Sequence, residues 1–175
     1  MRSKADVDPS ARLFIGLWPD ETVRAALLAH QQHWVWPARA ALVPLDRLHL
    51  TLHFLGAVPR EQVSPLAEGL VVPFERFDLQ LDQAERWAGG VAVLQPLVPP
   101  LPLASLFERL SAALQRQGRV PERNTLRPHV TLARHAQGAL PPPEVMPIHW
   151  HITGYALLES ERGPPRRYRV IRHYR

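Results

Sequence analysis

Two short stretches of this chain carry the residue types of acid–base chemistry at one spacing, His49-Leu50-Thr51-Leu52 and His129-Val130-Thr131-Leu132. In a β-strand, residues two apart point to the same side. Each stretch therefore presents an imidazole beside a hydroxyl, with apolar residues on the opposite face. Two such strands facing each other across a groove would gather two imidazoles and two hydroxyls around one point. In-line displacement at a phosphodiester needs such a set. One imidazole takes a proton from the attacking water while the other, on the opposite side, gives a proton to the departing oxygen. The hydroxyls donate to the non-bridging oxygens, where charge accumulates. Histidine suits both roles because its ordinary pKa lies near about 6.5. With a side chain protonating the leaving group, no metal and no other cofactor is expected.

With nine histidines and five threonines in the chain, chance yields about a quarter of one His-x-Thr pair, so a match needs structural context. A third copy, His151-Ile152-Thr153, runs into Gly154 and lacks the upstream strand and helix that precede the other two. The first two copies are therefore the expected catalytic pair. His49 and His53 share a face under strict alternation, as do His149 and His151, and paired imidazoles can hold zinc. The chain has no His-Glu-x-x-His, however, and His53 reads as a groove-lining polar residue. His30, His33, His135 and His173 read as surface or structural.

The elements that must position these residues emerge from the pattern. Arg12 to Trp18 is an apolar run closed by Pro19-Asp20, a buried strand, and Asp20 stands at the N-cap of a helix over 23–30. Leu48 to Leu55 alternates as a strand ended by Gly56. A helix over 59–70 and a strand over 74–81 come next. The order then recurs: a strand at 90–96, a helix at 103–117 stopped by Gly118, and a strand at 127–133. Phe14 to His49 and Val93 to His129 are nearly equal separations. A duplicated unit is expected, its halves joined near residues 83–90. Strands are also expected over 150–158 and 168–174. Residues 1–10 read as a flexible tail and 11–175 as a single bilobal domain.

Composition sets the outer limits. A chain of 175 residues with 46% hydrophobic and 21% charged residues can bury a core and is not disordered throughout. Its lack of cysteine excludes disulfides, thiolate metal sites and cysteine nucleophiles. The net charge is +5, and every cation but Lys4 is an arginine. Arginine forks onto phosphate oxygens, which favours a phosphate-bearing partner. GC-rich coding would give the same bias, so charge alone decides nothing. The polar start and the prolines that break the apolar run at 98–107 leave no export or membrane segment. A cytoplasmic monomer is expected.

With Arg-Leu-Phe-Ile-Gly-Leu at 12–17, Leu-His-Leu-Thr-Leu-His-Phe-Leu-Gly at 48–56, the second motif, Leu158-Glu159-Ser160 and a late Tyr168, the chain resembles the 2H phosphoesterases. Within them it is most similar to the RNA 2′,3′-cyclic phosphodiesterases, also called 2′-5′ RNA ligases. The resemblance implies an α+β, bilobal duplicated fold, with two antiparallel sheets lining a central groove and helices outside. It implies a partner, RNA or a nucleotide ending in 2′,3′-cyclic phosphate, opened to a 2′-phosphate. His49 would protonate the leaving 3′ oxygen, His129 would activate water, and Thr51 and Thr131 would hold the phosphate with the help of Arg134. Phe54 matches a position near the terminal base, although strict alternation would turn it into the core. Another cyclic or 2′-5′-linked nucleotide, a 2′-5′ ligase reaction, a zinc-dependent hydrolase and a non-catalytic basic RNA-binding module are the alternatives.

Overall fold

The computed structural model describes residues 9–122 and 125–175. Among the described residues ten strands and three α-helices succeed one another in chain order: β1 (Ser10–Leu17), α1 (Glu21–Gln32), β2 (Ala41–Leu42), β3 (Leu50–Pro59), α2 (Arg60–Gly69), β4 (Phe77–Leu81), β5 (Gln83–Trp87), β6 (Val91–Gln95), α3 (Leu101–Arg116), β7 (Val130–Arg134), β8 (Ile148–Ile152), β9 (Tyr155–Glu161) and β10 (Arg167–Tyr174). The fold is α+β with two antiparallel sheets. The larger runs β10-β9-β1-β3-β7-β6-β5 with β2 also paired to β7, and the smaller is β4-β8. Across the middle of the large sheet, β3 and β7 share a single register pair, Leu50 with Val130. The large sheet is thus two halves pinned together between the two His-x-Thr stretches.

Local chemistry accounts for the elements. Asp20 accepts a hydrogen bond from the Val23 amide at 2.8 Å, satisfying an orphan donor at the start of α1. α3 buries Leu103, Leu106, Phe107, Leu110, Ala113 and Leu114 at helical spacing, and Gly118 adopts a φ of 71° just past its end. Ala11, Leu13, Ile15 and Leu17 of β1 enter the main core with Leu50, Leu52, Leu94 and Leu132. Phe14 faces the other way, into a separate cluster with Ala156 and Leu158 that Trp18, Tyr168 and Val170 cover. The buried Gln31 of α1 donates through Nε2 to the carbonyls of Val43, at 3.0 Å, and Leu132, at 2.8 Å, tying the helix to β7.

The two halves repeat one pairing. β1 lies antiparallel to β3 with Gly16 opposite Thr51, and β6 lies antiparallel to β7 with Val93 opposite Thr131. Val93 is therefore the counterpart of Gly16, not of Phe14 as equal separations imply. Gly56 does not end the first motif strand. It takes a φ of 67° inside β3, which continues to Pro59. Within the expected junction, residues 83–87 form β5, paired residue for residue with β6, a strand whose alternation polar Gln83 and Glu85 hide in the sequence. Residues 1–8 of the expected tail lie outside the described residues, whereas Ser10 already pairs with Pro59. No helix among the described residues is long and apolar enough to cross a membrane.

Candidate active site

The Leu50–Val130 pair brings His49 and His129 to the junction of the two halves. They are close enough that the charges of His129 and Arg134 act on His49. Each ring is held alike. His49 Nδ1 lies 2.6 Å from the Arg47 carbonyl, and His129 Nδ1 lies 2.7 Å from the Arg127 carbonyl. A carbonyl only accepts, so Nδ1 carries the hydrogen in both rings and Nε2 is left as the proton-exchanging atom. In His49 that Nε2 accepts from the Thr51 hydroxyl at 2.9 Å. Thr51 and Thr131 are both half-buried, opposite Gly16 and Val93.

The surroundings of the two rings differ. His49 sits among Phe14, Trp18 and Tyr168, at ring-centroid distances of 4.9, 6.1 and 5.1 Å. Burial among them pushes its pKa down to about 4, and the charges of His129, Arg134 and Arg47 push the same way, against the hydrogen bond to the Arg47 carbonyl. Before an anion arrives, His49 is neutral at pH 7. His129 is backed by Trp87 at 4.5 Å. Thr51, Phe54, Glu122, Thr125, Arg127 and His129 line a small pocket beside it.

Beyond each threonine the strands depart from strict alternation. The register jumps between Ile15–His53 and Gly16–Thr51, leaving Leu52 as an extra residue, and between Ala92–Ala133 and Val93–Thr131, leaving Leu132 as an extra residue. A bulge of this kind reverses the facing of the residues beyond it. His53 consequently points into the core, 3% exposed. It stacks on Phe107 at 4.3 Å and donates through Nε2 to the Phe107 carbonyl of α3 at 3.1 Å. Buried against α3, it still lines that small pocket together with Phe107. Phe54 turns out to the groove, 46% exposed and 6.3 Å from Phe14. Arg134 is likewise exposed, on the side where its charge reaches His49.

The third copy is elsewhere. His151 lies on the two-stranded sheet and pairs with Asp78 at 2.7 Å. Among the described residues no group of three or more histidine, aspartate or glutamate side chains could hold a metal. The carbonyls of Arg47 and Arg127 and the rings of Trp18 and Trp87 escaped the sequence reading. The signal for the first pair was present: both motifs read Arg-x-His-x-Thr-Leu, whereas His149 stands at that place in the third copy.

The family model of the 2′-5′ RNA ligase superfamily matches residues 23–165. The chain is 33% identical over 138 residues to an RNA 2′,3′-cyclic phosphodiesterase of Escherichia coli, covering 75% of this chain and 77% of that protein. It is 32% identical over 169 residues to an RNA 2′,3′-cyclic phosphodiesterase of Thermus thermophilus, covering 87% and 83%. Its fold resembles the crystal structure of E. coli LigT complexed with 3′-AMP, with a TM-score of 0.84 and 28% identity over 94% of this chain and 97% of that one.

Proposed function

The chain belongs to the 2′-5′ RNA ligase superfamily, and from that premise we propose that it hydrolyses terminal 2′,3′-cyclic phosphate on RNA to a 2′-phosphate by two-histidine acid–base catalysis. The observation that carries this reading is the meeting of the two Arg-x-His-x-Thr stretches at Leu50–Val130, with both Nδ1 atoms tied to carbonyls. Water attacks phosphorus and gives its proton to His129 Nε2. The bond from phosphorus to O3′ breaks, and His49 Nε2–H gives its proton to O3′. Thr51, Thr131 and Arg134 hold the non-bridging oxygens, and Phe54 faces the terminal base.

Because His49 is neutral in the empty site, its acid role requires the phosphate anion to bring its pKa up on binding. A nearby negative charge favours imidazolium, and Thr51 then turns its hydroxyl hydrogen to the phosphate. All these residues come from one chain, so a monomer suffices, and the proposed site of action is the cytoplasm.

Phosphorus NMR of the product from a short RNA ending in 2′,3′-cyclic phosphate tests the reading. A terminal 2′-phosphate is expected. A 3′-phosphate would exchange the histidine roles, and binding without turnover would make the chain an RNA-binding module.

A further inference from the structure

The geometry points to Trp87 as a positioning residue for His129: its indole grips the Arg127 side chain and so fixes the Arg127 carbonyl that sets the His129 tautomer. This rests on the role of His129 proposed above. The Arg127 guanidinium carbon lies 3.5 Å from the centre of the Trp87 ring, a close cation–π contact. The same indole meets the His129 ring at 4.5 Å and 60°, while the Arg127 carbonyl accepts from His129 Nδ1 at 2.7 Å. Trp87, Arg127 and His129 thus close a small circuit in which fixing one member fixes the other two.

Residues 125–129 form neither helix nor strand, so no backbone ladder holds this carbonyl. Pro128 restricts Arg127 to extended geometry, but extended geometry alone does not aim the carbonyl. The side-chain grip supplies the missing constraint. Trp87 is itself oriented from the β5–β6 hairpin. Its Nε1 donates to Glu85 Oε2 at 3.0 Å, and the Gln95 amide donates to the same oxygen at 2.8 Å. In the other half the corresponding ring, His49, is held by the Arg47 carbonyl, by Thr51 and by three aromatic rings. None of these depends on Trp87, so His49 is an internal control.

The test reads histidine tautomers by two-bond ¹⁵N–¹H NMR in the full chain without substrate, alongside steady-state kinetics. In the wild type both His49 and His129 should be protonated on Nδ1. Trp87→Leu should turn His129 into a mixture of tautomers, leave His49 unchanged, and lower kcat by roughly 10- to 100-fold with KM little altered. Trp87→Phe, which keeps an aromatic face for the guanidinium, should restore both readouts. Arg127→Met, which leaves the indole in place, should shift the His129 tautomer in the same way and serves if Trp87→Leu does not fold. A His129 ring that stays on Nδ1 in both variants overturns the inference, as does a Trp87→Leu effect confined to KM, which would place the indole against substrate. The tautomer measurement needs no substrate, so its outcome is separate from whether the chain opens cyclic phosphates.

Discussion

Phe54 and Arg134 occupy one place in the two halves of the sheet. Each stands five residues beyond its motif histidine, past a bulged leucine, and the burial of Leu50–Phe54 repeats in Val130–Arg134 position by position. One half fills the place with an exposed ring and the other with a cation. Under the proposed function the ring faces the terminal base and the cation holds the phosphate.

Removing these two groups should separate their contributions. Arg134→Ala is expected to raise KM by about 10- to 100-fold, the usual scale of a charged hydrogen bond, without changing the product isomer. Phe54→Ala should weaken binding of substrates carrying a base while leaving the denaturation midpoint near wild type, because the ring is not in the core. A large loss of stability in Phe54→Ala would mean that the ring packs inward.

Under the proposed mechanism the two histidines act as a unit. His49→Ala and His129→Ala should each lower turnover by about 10²–10⁴-fold, and the double variant should cost much less than the product of the two effects. His151→Ala, on the other sheet, should stay near wild type. Steady-state rates on a cyclic-phosphate RNA decide this, and a dead His151→Ala beside an active His49→Ala would refute the pairing. Turnover should also persist in EDTA; loss restored by Zn²⁺ or Mn²⁺ would contradict a metal-independent reaction.

The pH profile should differ between free and occupied enzyme. kcat/KM reports the free enzyme, so its acid limb should fall well below the ordinary histidine value, toward the value of about 4 to which burial brings His49. kcat reports the complex, in which the phosphate charge favours imidazolium, so its acid limb should lie higher. Both limbs belong to the coupled pair of histidines. Coincident acid limbs near about 6.5 would show that the aromatic wall does not desolvate His49.

Stability should fall on mild acidification. His30, His49 and His53 all have pKa values lowered chiefly by burial. Between those values and the ordinary one near about 6.5, the unfolded chain binds more protons than the folded one, so stability rises with pH across that window. Urea midpoints at pH 5 should lie below those at pH 7. Equal midpoints would place these rings in solvent.

Gly16 should not tolerate a side chain. A Cβ there would stand 2.7 Å from the Leu50 carbonyl oxygen, between His49 and Thr51. Gly16→Ala should push β3 away from β1, cost about 1–3 kcal/mol as overpacking does, and reduce turnover by misplacing the motif. Chemical denaturation and kinetics together measure it.

The sequence by itself determined the motif pair, the Asp20 and Gly118 caps and the strand–helix–strand order of each half, because these rest on local chemistry and short periods. Asp20 caps where its side chain reaches the Val23 amide, and no distant residue alters that. Face and register were settled only by tertiary structure. Alternation read from Thr51 onward turns His53 outward and Phe54 into the core, and the bulge at Leu52 reverses both. A bulge leaves no mark in composition, since it arises where two strands of unequal local length are paired. The same holds for β5, whose polar residues form a strand because Val91–Gln95 lies beside them. It holds too for the neutral state of His49, which depends on Phe14 and Trp18 from β1 and its end and on Tyr168 from β10, distant segments that only folding brings around one imidazole.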